Sequence, residues 1–418
     1  MSGTIRVAIV GCGGITSAHL NGIRILQQSG LDDVQVTLLC SRDLENAARY
    51  NKRGDAPPPL PPIVPWRDDP LNIRDVYVTD LHPGVPAELC TDWRKAVVSP
   101  DVDAVIILAS VGVHHTIGCA ALGAGKHVLI EKPFAITVRA ARKLCEIAHE
   151  RGLSLGVAES LRYKRETRSA RWALDNGYIG KLDMVAHVSL GSVWSPDKIV
   201  GRTPWRHHKL ETGTGILMDI GSHLFDKVRY VCGEFDTVSG ITRTLEPFRT
   251  TRDDAGHIIA QTHCDVEDTA FATAVFKNGA IGTFSMSWAT HGEPASLPGG
   301  TALFGDLGCI KEGKLIGERE GVRVLEDLFV RRAPKGLQEE WFPRGVTDAF
   351  ALELHEFFRS IREGRSPETS GIEGLRDVAA CYSVVESSVR GECVRFEDVA
   401  NCRVETYQRA INDQLGLG

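Results

Sequence analysis

Ile5 to Val10 is an apolar run, interrupted only by Arg6, that ends in Gly11-Cys12-Gly13-Gly14-Ile15-Thr16 and passes directly into a helical pattern, Ser17 to Gln28. A strand, a glycine turn and a helix in that order constrain this chain more than any other feature, because they open a series. Val34 to Cys40, Val102 to Ala109, His127 to Ile130 and Leu153 to Ala158 are further short apolar runs separated by helical patterns, all within residues 1–159. Alternating βα units predict a parallel sheet, and runs this continuous suit strands buried on both faces. One segment breaks the rhythm. Residues 51–88 are dense in proline, with Pro57-Pro58-Pro59 and Pro61-Pro62, which excludes a central strand or helix interior. A long solvated surface insertion is expected there, with a flap or an oligomer arm as the alternative.

From about Leu161 the texture changes. Leu182 to Leu190, Thr269 to Phe276 and Ala280 to Trp288 are longer alternating segments, with Lys277-Asn278-Gly279 as a turn between the last two. That pattern predicts a mostly antiparallel sheet in an α+β domain over residues 160–418. Two amphipathic helices, Asp348 to Glu363 and Gly374 to Ser388, follow it.

A length of 418 residues fits two domains, and a formal net charge of -6 offers no basic footprint for a phosphate backbone, so no nucleic-acid partner is expected. No stretch reaches the roughly 18 apolar residues of a membrane span, and no signal-like segment precedes Ile5. The 11 cysteines are an odd number with neither a CxxC pair nor zinc-ligand spacing. Reduced thiols in a cytoplasm, and no metal site, are the expectation.

The glycine turn carries chemistry. Backbone N–H groups at a helix N-terminus bind a pyrophosphate only if no Cβ blocks the approach, so Gly11 is assigned the turn and Gly13 the entry of the phosphate, with Gly14 and Ile15 beside it. Thr16 stands where the third glycine of GxGxxG is usual. At the end of the second strand, Ser41 occupies the place of the acid that would bind a ribose 2′-hydroxyl, and Arg42 is suited to a 2′-phosphate or to stacking on adenine. This tilts the expectation towards NADP, while Asp43, two residues on, keeps NAD open as well as serving as a helix cap.

The fifth run leads into Glu131-Lys132-Pro133. Ligands of open parallel sheets bind beyond the carboxyl ends of the strands, so Lys132 is aimed where a lysine can stabilise a developing alkoxide, with Glu131 placed to orient it. An ordinary surface lysine fits the same spacing. Further on, Asp219, His223, Asp226 and Tyr230 recur at i, i+4, i+7 and i+11, opposite an apolar stripe. An imidazole beside a carboxylate is a competent general base, and an i,i+4 Asp/His pair is also a common helix-surface contact. Before it stand Arg162, Tyr163, Trp194, Trp205, Arg206, His207, His208 and Lys209. Indole faces stack on sugar rings and the cations read hydroxyls or a carboxylate, although both tryptophans also suit a core.

Together these blocks resemble the glucose-fructose oxidoreductase and inositol dehydrogenase (Gfo/Idh/MocA) superfamily: the Gly-Cys-Gly-Gly-Ile opening with His19, Ala-Gly-Lys-His-Val-Leu-Ile-Glu-Lys-Pro from Ala124, Val157-Ala158-Glu159 with Arg162-Tyr163, Asp219 with His223, and Val266-Glu267-Asp268-Thr269-Ala270. The resemblance implies an α/β Rossmann domain followed by an α+β domain whose open sheet often mediates dimers, hence a homodimer or homotetramer, and NAD(P)-dependent redox at a sugar, cyclitol or glycoside carbon. It assigns Lys132 as the family lysine, His223 as the acid/base and Asp219 as the binder of a substrate hydroxyl. Ser110-Val111-Gly112 departs from the usual motif after the fourth strand, with His115 retained on the nicotinamide side. The same superfamily implies two alternatives, a redox-neutral NAD-dependent glycosidase or lyase and a non-catalytic nucleotide-sensing regulator. A sensor has no need of an acid/base set.

Overall fold

The computed structural model describes residues 3–31, 34–60, 69–191, 203–253 and 255–418, so Trp194 lies outside the described residues. The chain divides into two compact units.

The first unit comprises Met1–Ile136, Ala140–Tyr163 and Glu339–Leu375. Its strands are β1 (Ile5–Val10), β2 (Val34–Cys40), β3 (Glu88–Cys90), β4 (Ala104–Ile107), β5 (His127–Glu131) and β6 (Leu155–Ala158). They form one parallel sheet in the order β3-β2-β1-β4-β5-β6. The order reverses between β1 and β4, the topological switch point where open α/β sheets bind ligands. Helix α1 (Thr16–Gln28) follows β1 and packs on a later helix of the same unit, Ala349–Glu363. Gly22 makes that approach close, since a Cβ there would come within 2.9 Å of Leu354.

The proline-rich insertion is more than the solvated loop its composition suggests. Val78 N donates to Tyr50 O at 2.9 Å, the Asn51 side chain pairs with both backbone groups of Ala87, and Val76, Val78 and Leu81 are buried. The described ends of the segment carry enough apolar and amide groups to be stitched into the first unit.

The second unit comprises Thr137–Arg139, Lys164–Gln338 and Arg376–Gly418. Its strands are β7 (Leu182–Leu190), β8 (Phe235–Arg243), β9 (Phe248–Arg252), β10 (Ile258–His263), β11 (Thr269–Phe276), β12 (Ile281–Ser287), β13 (Ala295–Gly305), β14 (Gly308–Lys311), β15 (Lys314–Gly317), β16 (Gly321–Val324) and β17 (Val394–Arg395). Nine of them form one sheet, β16-β15-β14-β13-β7-β12-β11-β8-β17, antiparallel except where β7 runs parallel to β12. Alternation splits its faces. Phe235, Phe276 and Phe284 bury one side with Phe225 of helix α2 (Ser222–Cys232), while Met184, Ile241, Phe271 and Ile281 stand exposed on the strands.

What fixes α2 is its entry. A π-helical turn, Leu217–Gly221, precedes it, and Glu267 caps that turn. One carboxylate oxygen accepts from Gly215 N at 2.9 Å and Leu217 N at 3.1 Å, and the Glu267 carbonyl accepts from Ile216 N at 3.2 Å. Glycine is required at 215 because a Cβ would lie 1.8 Å from that carbonyl oxygen. Burial pushes the Glu267 carboxyl up to about 7, against the pull of the two amides.

A carboxyl whose folded pKa lies above its unfolded value contributes stability that is fully present below the unfolded pKa and is lost as pH rises through the folded one. Relative to Glu267→Gln, the wild-type protein should therefore lose up to ~3 kcal/mol of unfolding free energy between pH 4.5 and 8. Denaturant titration of both proteins across that range measures the difference. Parallel curves would show that Glu267 does not titrate in this window.

Candidate active site

Gly11 leaves β1 with φ +102°, and a Cβ on it would strike Leu108 C at 2.5 Å, so this glycine serves the protein's own turn. Gly13 is different. Its φ is not positive, and no described residue comes within 4 Å of a Cβ built there, so the fold itself makes no demand for glycine at 13. Gly14 and Ile15 lead into α1, and Ile15 at the cap offers no side-chain acceptor to the first amides. An open approach beside uncapped amides at a helix N-terminus fits a pyrophosphate. Tyr50 supports the turn by donating to Gly13 O at 2.6 Å. Ser41 directly follows β2 and Arg42 is exposed beside it, while Asp43 caps the short helix Leu44–Ala48 by accepting from Glu45 N.

At the far end of β5, Glu131 is buried and half-buried Lys132 follows it, joined to Pro133 by a cis peptide. His19 Nε2 on α1 lies 3.1 Å from Glu131 Oε1, so the residue before the lysine is tied to the helix that faces the glycine turn. Ser110 precedes the 3-10 turn Val111–Val113, and its carbonyl accepts from Val113 N at 3.1 Å. His114, to which the sequence analysis gave no role, secures this turn. Its ring nitrogens lie 2.9 Å from Pro133 O and 2.8 Å from Ala109 O, clamping the turn after β5 to the end of β4. Burial pushes its pKa down, against both carbonyls. His115 instead lies near Thr116, and burial pushes it down to about 4.

In the second unit, Asp219, His223, Lys227 and Tyr230 make a half-exposed stripe along the π turn and α2. Asp226, which helical spacing put on that face, is completely buried, and Lys227 takes its place. Asp219 Oδ2 accepts from Arg206 Nε at 3.2 Å, and the same guanidinium lies 4.3 Å from the centre of the Trp205 ring. Trp205 is therefore a platform already covered on one face. His207 is buried, and His208 stands at the cap of the turn Lys209–Thr212. Lys209 Nζ lies 3.6 Å over the Tyr407 ring, and its pKa is pulled down by burial.

Arg162 and Tyr163 belong to the first unit and are buried there. Arg162 pairs with Glu373 at 3.0 Å, and the Tyr163 hydroxyl meets Thr369 Oγ1 at 3.1 Å. These contacts hold both side chains within the first unit.

Chemically, the first unit offers uncapped helix amides and an ammonium at a strand's carboxyl end. The second offers a carboxylate and an imidazole on one helix face, the components of proton transfer at a hydroxyl. Residues 5–159 match the model of an oxidoreductase family with an NAD-binding Rossmann fold, and residues 167–311 match the GFO/IDH/MocA C-terminal domain. Levoglucosan dehydrogenase of Pseudarthrobacter phenanthrenivorans is 26% identical over 371 residues, 81% of this chain and 93% of that protein. The 1,5-anhydro-D-fructose reductase of Ensifer adhaerens is 28% identical over 314 residues, 73% and 84% of the respective chains. A solved structure of levoglucosan dehydrogenase in complex with NADH shares the fold, with a TM-score of 0.72 at 22% identity over 94% of this chain and 99% of that one. With both family domains matched in order along it, the chain belongs to the Gfo/Idh/MocA oxidoreductases and is an enzyme with an NAD-binding Rossmann fold.

Proposed function

We propose that this enzyme is an NAD(P)-dependent dehydrogenase or reductase acting on a hydroxyl or ketone of a sugar, cyclitol or glycoside. The observation that carries the reading is the placement of Asp219 and His223 together on the half-exposed face of one capped helix. The names of its relatives, a levoglucosan dehydrogenase, a 1,5-anhydro-D-fructose reductase and a myo-inositol 2-dehydrogenase, support a carbohydrate or cyclitol substrate. We assign cofactor binding to residues 1–159 and substrate binding to residues 160–418. The eleven free cysteines support a reducing, cytoplasmic setting, and no described helix is long and apolar enough to cross a membrane. The exposed Met184, Ile241, Phe271 and Ile281 of the open sheet support a homo-oligomer.

The nicotinamide cofactor, when bound, supplies the hydride acceptor for oxidation or the donor for reduction. The amides at the start of α1, with Gly13 and Gly14, would hold its pyrophosphate, and Ser41 and Arg42 would bind on the side of its adenosine ribose. His223 takes the proton of the reacting hydroxyl, and Asp219 accepts a hydrogen bond from a neighbouring one. The Lys132 ammonium donates to the alkoxide that develops as the proton leaves, and Glu131, held by His19, orients it. Ser110 and His115 are assigned to the nicotinamide side.

A screen of nicotinamide absorbance with NAD and NADP against sugars, inositols, uronates and glycosides tests the reading directly, and no turnover on any of them would sink it. Lys132→Met should leave cofactor affinity intact and lower kcat by about 100- to 1,000-fold, the usual loss of one donor to developing negative charge. Near-normal turnover would remove Lys132 from the site. Ser41→Asp should shift preference from NADP towards NAD by repelling a 2′-phosphate. An unmoved ratio of the two kcat/KM values would show that residue 41 does not meet the ribose.

His223→Asn should cost about 100- to 10,000-fold in kcat near and below neutral pH and recover in part as hydroxide rises. Asp219→Asn keeps the base, so it should raise KM and move the acidic limb of the rate profile to lower pH, because the imidazolium loses a nearby carboxylate. Matching pH profiles for wild type and His223→Asn would place the base elsewhere.

A further inference from the structure

Three of the cations that the sequence offers for reading an anion are already engaged. Arg206 holds Asp219, Arg162 holds Glu373, and Lys209 covers the Tyr407 ring. Along α2 and its neighbours the arginines are matched as well, Arg229 with Glu234 and Asp377, and Arg376 with Glu234 and Glu397. Lys227 is the exception. It stands one turn beyond His223 on the half-exposed stripe, and no described carboxylate comes within ion-pair distance of its ammonium. Burial pulls its pKa down, Glu166 favours the charge without pairing to it, and Lys164 opposes it. An ammonium stripped of part of its water with no partner is costly, and a bound anion would offset that cost.

A second unmet group stands on the sheet of the same unit. His187 of β7 is 8% exposed, its Nδ1 lies 3.0 Å from Thr301 Oγ1, and its buried Nε2 has no hydrogen-bond partner among the described residues. Burial, with the field of Lys227 added, pushes this imidazole down to about 4, so it is neutral at ordinary pH. Lys227 and His187 both belong to the second unit.

We infer that Lys227 and His187 form a polar subsite on the helix face that carries His223, and that the sugar taken by this enzyme bears a carboxylate read there by Lys227. The inference rests on the carbohydrate-redox reading above and narrows its substrate class. A single ammonium beside a neutral ring nitrogen matches a monoanion with two oxygens. A phosphate dianion would leave uncompensated charge in a half-buried site.

Calorimetric titration of the NADH-loaded, full-length protein with D-glucuronate and D-galacturonate, each against its neutral parent sugar, and with D-glucose 6-phosphate, tests this in wild type, Lys227→Gln and Lys227→Arg. At least one uronate should bind about 10- to 100-fold more tightly than its neutral parent to wild type, the usual contribution of a charge-assisted hydrogen bond. Lys227→Gln should erase that advantage while NADH and neutral-sugar affinities stay within about threefold, and Lys227→Arg should retain most of it. Uronates bound no better than neutral sugars, an advantage that survives Lys227→Gln, or a preference for the phosphate would each overturn the inference. Nicotinamide absorbance on the same sugars separates the two readings. Uronate preference without turnover removes the redox reading and leaves the subsite, whereas turnover of neutral sugars without uronate preference does the reverse.

Discussion

Three amides at the start of the Asp219/His223 helix end on one residue, Glu267. The first amides of a helix have no intrahelical acceptor, and buried amides without partners are costly, so the position of this helix depends on what caps it. Here the cap uses both the carboxylate and the carbonyl of a residue that leads into β11. The sheet thereby sets the height and rotation of the helix. Gly215 is the only residue type that tolerates the resulting approach, and the amide of Asp219 reaches back to Gly215 O at 3.1 Å, one turn on. A shift of the cap would displace the carboxylate and imidazole together.

The first unit solves a comparable problem by different means. Lys132 lies at the end of a strand, where a loop alone would leave it loosely placed. Two histidines secure the residues on either side of it. His19 ties Glu131 to α1, and His114 ties Pro133 to the end of β4. The helix whose uncapped amides face the glycine turn is thus joined by one side chain to the residue before the lysine. This gives the binding end and the proposed reacting end of the unit a shared rigid reference.

Much of this was legible in sequence because burial on both faces writes itself as continuous apolar runs. Val34–Cys40, Leu182–Leu190 and Thr269–Phe276 have the bounds that the patterns predict. β3 was not legible, since three partly exposed residues at a sheet edge carry no periodic signal. The clamp formed by His114 was equally closed, because neighbouring residues of one type differ only in where the backbone turns them. The error at Asp226 is more instructive. A wheel of 3.6 residues per turn puts positions 219, 223 and 226 on one face. The π turn at Leu217–Gly221 takes in an extra residue and sets everything after it back by about 100°. Lys227 then comes into line with Asp219, and Asp226 turns into the core.

That rotation changes what the site can read. Composition placed several cations before the helix, and counting them pointed to an anionic ligand, but a cation in an internal ion pair offers little to a substrate. Arg206 both covers Trp205 and bonds Asp219, so a substrate hydroxyl approaching that carboxylate must share it or displace the guanidinium. The pair is half-buried, so displacement costs more than breaking an exposed ion pair, whose worth is about 0 to 1 kcal/mol. In the proposed site, a hydroxyl bound by Asp219 therefore competes with Arg206 for the same carboxylate.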